Sequence, residues 1–360
     1  MFKNIDFKAC AALALGLSLA LAGRASAQEA VNLRMTIWSA NEAHLKLFND
    51  MAAGFKQSHP NVTVTYESLP FDTYTTALTT QIAGGNAPDM AWIFETTAYD
   101  FVNSGAHYPL GPKLDAIEGY NKGEVSSGAT ERWSKDGVLY AYPFSTSPFA
   151  VFANNDLIRK AGAKTPAELI SSGEWTWDKA IETASAVRKT GKGGLIVRDF
   201  NYQNWQNLAA IWNGWSASPW SEDGKSCTFG DKSMTDALAF IHDAIFSKKA
   251  MPGPGENMDF FAGDAAMTIT QISRASLLPK ENGFEWDLVP LPKGPAGDYA
   301  LIGQAGIGVM QSSPHAEIAA EFVGYMTNPE NSARLAQFFP SARKSLLNAE
   351  TLKKTNPLLS

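Results

Sequence analysis

Two different patterns of apolar and polar residues run along this chain, and the boundary between them lies near residue 27. Before it, Lys3 and Lys8 precede an unbroken stretch of apolar or small residues, Ala11 to Ala22. After it, the apolar positions come in short periodic segments. Val31 to Trp38 (VNLRMTIW) predicts a strand, and Leu45, Phe48, Ala52 and Phe55, spaced by three and four, predict a helix behind it. His59-Pro60 ends that helix, and Val62 to Tyr66 is β-branched and alternating, as a second strand requires. Phe71 to Ile82 reads as a second helix closed by Gly84-Gly85, and Asp89 to Phe94 (DMAWIF) as a short buried strand. Strand–helix–strand–helix–strand order predicts an α/β fold with a mainly parallel sheet and helices on both faces.

Further along the periodicity is less regular. Tyr140 to Asn154 (YAYPFSTSPFAVFAN) is strand-like but interrupted by Pro143 and Pro148, a composition suited to a crossover between lobes. Trp177 to Arg188, Lys232 to Phe246 and Pro314 to Met326 predict helices, while Ala265 to Thr270, Trp286 to Leu291 and Gly303 to Met310 predict strands. A second loop-like passage carries Pro290, Pro292, Gly294, Pro295 and Gly297. Two such passages imply that the chain crosses between lobes more than once.

The apolar stretch at the start has 12 residues, against about 20 for a membrane-spanning helix. Ala25-Ser26-Ala27 follows with the spacing of a signal-peptidase site. Residues 1–27 are therefore expected to be a cleaved signal peptide rather than an anchor. A lipoprotein signal needs its cysteine after the apolar run, and Cys10 lies before it. A periplasmic, unanchored protein is expected. The leader carries three positive residues against one negative, so its loss takes the net charge from −6 to −8. Cys227 alone then remains, which leaves no internal disulfide. With 45% hydrophobic residues the chain is not disordered. The absence of a clustered Lys/Arg face argues against a nucleic-acid partner.

Most catalytic signatures are missing. There is no G-x-x-x-x-G-K-[ST] loop, no G-x-S-x-G elbow, and no H-x-x-x-H pair among the five histidines. No cofactor or metal is expected. Glu285 and Asp287 flank Trp286, but in a strand the two carboxylates share one face and the Trp takes the other. The more informative feature is aromatic. Trp205, Trp212, Trp215 and Trp220 fall within 16 residues, beside Tyr202. Aromatic faces stack on the C–H faces of sugar rings while amides and carboxylates take the hydroxyls, so the cluster points to a carbohydrate-like ligand.

Six segments, in order over about 300 residues, carry a resemblance. Thr79 to Met90 (TTQIAGGNAPDM), Asp136 to Pro143 (DGVLYAYP), Asn154 to Leu157 (NNDL), Glu174 to Asp178 (EWTWD), Phe261 to Thr270 (FAGDAAMTIT) and Gly303 to Val309 followed by Ala316 to Tyr325 are similar to motifs of family 1 extracellular solute-binding proteins. These are the maltose-binding-protein-like capture subunits of ABC sugar importers. The resemblance implies two α/β lobes of the periplasmic-binding-protein fold that close around a ligand. It also implies crossings near Ser145–Phe149, Asp287–Pro290 and Thr327–Asn331. The lobes are accordingly expected at 28–144 plus 290–328 and at 145–289 plus 329–360.

By matching position it further implies ligand contacts from Trp38, Asn41 and Glu42 after the first strand, Tyr74 opening the second helix, and Glu95 and Thr96 after the third strand. To these it adds Ser145, Thr146 and Ser147 in the first crossing, Asn204, Trp205 and Trp212 from the second lobe, Ser273 and Arg274 after the GDAAM strand, and Gln304 beside Ala305. Phe339 to Arg343 (FPSAR) resembles a G-x-P-x-R loop, which would set Arg343 near the mouth. Arg274 and Arg343 together would suit an anionic sugar or glycerol-phosphate-type ligand as well as a neutral sugar. The family runs several tens of residues past that loop, so a chain stopping at Ser360 is expected to be a fragment. The expected function is capture of a sugar or sugar-derived polyol by a monomer. It would deliver the ligand to membrane permease subunits served by a separate ATPase subunit, with a chemoreceptor or sensor as a further partner that sequence does not separate. The rival is a secreted hydrolase using Glu42, Glu95 or Glu285 as acid and base.

Overall fold

The computed structural model describes residues 29–198, 200, 202, 204–221, 225–278, 283–348, 350, 351 and 353. The expected signal peptide lies outside the described residues. The chain begins with β1 (Val31–Ile37), α1 (Glu42–Ser58) and β2 (Val62–Ser68). α1 starts where it does because the Asn41 Oδ1 accepts the Ala43 and His44 main-chain N–H groups at 2.9 and 3.3 Å. Leu47, Phe48, Met51 and Phe55 fall on its buried face. Next come α2 (Tyr74–Ala83), entered through a 3₁₀ turn at Phe71–Thr73, and β3 (Met90–Phe94). β1 pairs parallel with both β2 and β3.

Beyond a helical connection lies the 14-residue β4 (Ala141–Asn154), followed by α3 (Trp177–Arg188), β5 (Gly193–Val197), α4 (Lys232–His242), β6 (Ala265–Gln271), β7 (Trp286–Val289), β8 (Ile302–Val309), α5 (Ala316–Met326) and α6 (Pro329–Leu335). The sheet order is β2-β1-β3-β8-β4-β6-β5, with β7 also on β4. β5 pairs parallel with β6, whereas β4 and β8 pair antiparallel with their neighbours.

β5 escapes a hydrophobic-pattern reading because it opens with two glycines, which depress strand propensity. Their presence is a packing requirement: a Cβ on Gly194 would lie 2.0 Å from the Ala250 carbonyl oxygen. Residues 232–246 are also not one helix, since α4 ends at His242 and a π turn covers Asp243–Ser247.

Two apolar cores form on either side of a division within β4. The first gathers side chains of β1, α1, β2, α2 and β3 with Tyr142, Phe144, Ile307, Phe322, Leu335, Phe339 and Ala342. The second gathers Val151, Trp175, Trp177, Ile181, Leu195, Trp212, Met267, Val289 and Leu291. A small third cluster around Phe152 and Phe260 covers the other face of the second half-sheet. Pro148 of β4 pairs with Ile302, while Phe149, one residue on, pairs with Gln271.

The return crossing falls at residues 301–303 rather than at Asp287–Pro290. Leu291 is buried in the second core, Tyr299 and Leu301 pack against it, and Gly294 abuts Gly214. Thr327–Asn331 is not a crossing. Leu335, Phe339 and Ala342 lie in the first core, so 329–342 packs there and not, as expected, with the second lobe.

Candidate functional site

The carboxyl ends of β1 and β3 carry an aromatic platform. Trp38 stacks on Phe94 with ring centroids 4.2 Å apart and planes 18° from parallel. Phe71 meets Phe94 edge-on at 5.0 Å and Trp38 at 6.2 Å. All three rings keep some solvent-facing surface, which suits them to an apolar ligand face.

Arg274 faces this platform from the other lobe. It sits in the 3₁₀ turn Ile272–Leu277 that follows β6, and its guanidinium carbon is 5.6 Å from the Phe71 centroid. The same turn is tied to β4 by the Ser273 N–H, which donates to the Ser147 Oγ at 3.1 Å. Residues of the two lobes thus meet at the carboxyl ends of β1 and β3.

Beside the platform, the His44 ring packs on Phe338 and Phe339 at 4.6 and 4.7 Å, with Nδ1 2.8 Å from the Ser39 Oγ. Burial, and then the positive charge of Arg274, push its pKa down to about 4, so the imidazole is neutral at neutral pH. Glu95 follows β3 and its carboxylate accepts the Gln304 main-chain N–H. Burial raises that carboxyl to about 7 against the opposing pull of this hydrogen bond and of Arg132.

Three of the large side chains among the expected contacts are buried. Tyr74 is 1% exposed, and its hydroxyl lies 2.9 Å from the main-chain oxygens of both Thr36 and Trp92. Trp212 is 3% exposed within the second core. Arg343 is 1% exposed, its guanidinium consumed by carbonyls of the first lobe instead of standing at the mouth. Asn41 spends its side-chain oxygen on the α1 cap, and Glu42 is exposed in the first turn.

Ser145, Thr146 and Ser147 are buried within β4, and Thr146 donates its N–H to Pro340 O at 2.7 Å. Gln304 turns its amide to Ala129 O at 3.2 Å. Thr96 is exposed, Asn204 half-buried, and Trp205 exposed beside Phe229 at 5.3 Å. Glu285 is a surface residue paired with Arg159 at 2.6 Å.

Residues 39–333 match the family of bacterial extracellular solute-binding proteins. This chain belongs to that family. The solute-binding protein is 25% identical over 357 residues to the sn-glycerol-3-phosphate-binding periplasmic protein UgpB of Salmonella typhimurium, covering 91% of this chain and 76% of that one. It is 24% identical over 337 residues to the arabinooligosaccharide-binding protein of Bacillus subtilis, covering 87% and 74%.

Among solved structures, an ABC substrate-binding protein of Listeria monocytogenes in complex with cycloalternan superposes with a TM-score of 0.78 at 23% identity, covering 91% of this chain and 84% of that one. An ABC transporter solute-binding protein of Agrobacterium vitis with bound D-mannitol gives 0.72, also at 23%, covering 92% and 82%. The fold is the two-lobed one of these proteins. No helix of the described residues is long and apolar enough to cross a membrane.

Phe71, Phe94 and His44 of this solute-binding protein escape a reading by motif. Phe94 is the last residue of a strand that reads as wholly buried, and Phe71 precedes the helix to which the motif points. A signal was available for Phe94, because the carboxyl ends of strands in open α/β sheets are where ligands bind.

Proposed function

We propose that this protein captures a neutral sugar or sugar-derived polyol between its two lobes and presents the closed form to the permease subunits of an ABC importer driven by a separate ATPase subunit. The observation that carries the reading is the Trp38–Phe94 stack of one lobe facing Arg274 of the other. An aromatic platform takes the C–H face of a ring, and cleft donors take its hydroxyls. The relatives' own named ligands, an arabinooligosaccharide, cycloalternan, D-mannitol and a glycerol phosphate, are all oxygen-rich. Of the two arginines that the motifs set at the cleft, Arg343 is withdrawn into the core and Arg274 remains, which weighs toward the neutral ligand. Export by a cleaved leader and a periplasmic location belong to the same reading, as does binding without turnover.

The test is a thermal-shift panel of maltose, D-mannitol, arabinooligosaccharides and sn-glycerol 3-phosphate. A solute at 100 times its dissociation constant adds about 2.7 kcal/mol of stability. A shift with a neutral member, and recovery of that solute intact, supports the proposal. A shift with the phosphate alone overturns the ligand class, and breakdown of the solute overturns the binder.

A further inference from the structure

We propose that Phe71 is a positioning residue of the cleft: its ring seats the Arg274 guanidinium of the opposite lobe, and this contact sets how much of the ligand-free protein is closed. The two residues belong to different bodies. Phe71 is held from behind by Trp38 and Phe94, whose ring planes lie 87° and 75° to its own, which fixes the ring and leaves it facing the second lobe. Arg274 follows β6, and Ala275, the next residue, is buried in the third cluster of the second lobe. The guanidinium lies 5.6 Å from the ring centroid, within the range where the ring quadrupole attracts a cation. A planar, weakly hydrated guanidinium loses little by stacking there.

Geometry separates this contact from a second link between the lobes. The Ser273 N–H to Ser147 Oγ bond lies next to the Pro148–Phe149 division of β4, so it persists as the lobes part. Phe71 packs on Trp38 and Phe94, and β3 is separated from β4 by β8, so opening about that division carries Phe71 off Arg274. His44 reports the movement. Part of its lowered pKa comes from the Arg274 charge. Its other neighbours, Ser39, Phe338 and Phe339, are uncharged, and Glu42 and Lys46 are exposed on its own helix.

The experiment uses the ligand-free protein and two readouts, the radius of gyration by small-angle scattering and the His44 pKa by side-chain NMR. Phe71→Leu keeps an apolar side chain and the Arg274 charge but removes the quadrupole. It is expected to lower the closed-to-open ratio by about twofold to thirtyfold, enlarge the radius of gyration and raise the His44 pKa above about 4. Phe71→Trp should restore both. Arg274→Gln should reproduce the scattering change, and it supplies the answer if Phe71→Leu does not fold.

A Phe71→Leu protein that melts lower but keeps the wild-type radius and His44 pKa overturns the proposal, since a merely structural ring would behave so. Neither readout rests on the solute reading. If no neutral member of the panel binds the wild type, that reading fails, and the scattering and NMR results decide this proposal by themselves.

Discussion

Arg343 donates twice to one carbonyl, with Nη2 2.7 Å and Nε 3.2 Å from the main-chain oxygen of Thr327. Further donations reach Tyr120 O at 2.9 Å, Ser332 Oγ at 3.2 Å and Asn121 O at 3.3 Å, and the guanidinium lies 4.8 Å from the Tyr120 ring centroid. The side chain therefore clamps the end of α5 and the start of α6 to the loop at 120–121. Arg343→Met should cost about 1–3 kcal/mol, the penalty for a buried carbonyl, that of Tyr120, deprived of its Arg343 donor, while solute affinity at a temperature where the variant is folded stays unchanged. Urea unfolding and calorimetric titration read the two effects. A loss of affinity with unchanged stability would return Arg343 to the mouth of the cleft.

Tyr74 has a comparable role on a smaller scale. Its single hydroxyl proton is shared between the carbonyls of Thr36 and Trp92, which ties α2 to β1 and β3. Tyr74→Phe is expected to lose about 1 kcal/mol in chemical denaturation and to bind solute as the wild type does.

Trp205 and Trp212 should separate cleanly. Trp205 is 43% exposed and Trp212 only 3%, although their rings are 5.8 Å apart. Trp212→Ala empties a core site and should destabilise by about 3–5 kcal/mol. Trp205→Ala should leave the melt nearly unchanged and weaken solute binding. Wild-type affinity in the latter would remove Trp205 from the site without touching the fold.

The pH dependence has two opposing arms. Burial raises the Glu95 carboxyl from 4.5 to about 7 in the folded protein. The stability this contributes is therefore fully present below about pH 4.5 and is lost as pH rises through about 7. Glu95→Gln keeps an uncharged group there at every pH. Its melting temperature relative to wild type should accordingly climb between pH 5 and pH 8, and parallel curves would show that Glu95 ionises freely. His44 and His107 act in the other direction. Burial lowers both from 6.5 to about 4, so the wild type should lose stability as pH falls through that window and forces protons onto them.

Sequence alone determined the order of most secondary elements, β5 and the π turn after α4 excepted. Of the three-and-four series, Phe48 and Phe55 are buried on α1 while Leu45 and Ala52 pack half-buried against the same core, and the run Trp177 to Arg188 matches α3 residue for residue. These are local properties, because periodicity and caps act within a few residues of backbone. The six ordered motifs likewise placed the chain in its family. Tertiary structure alone decided which side chains face the cleft and which are consumed inside a lobe. Arg343 reads from its motif as a ligand contact, yet its partners lie at residues 120, 121, 327 and 332, and a buried guanidinium stays only where such carbonyls assemble around it. Phe71 and Arg274 are some 200 residues apart and meet only because β4 and β8 carry the chain between two cores. Burial and cross-lobe contact are sums over distant neighbours, so a local pattern leaves them open and the packed molecule settles them.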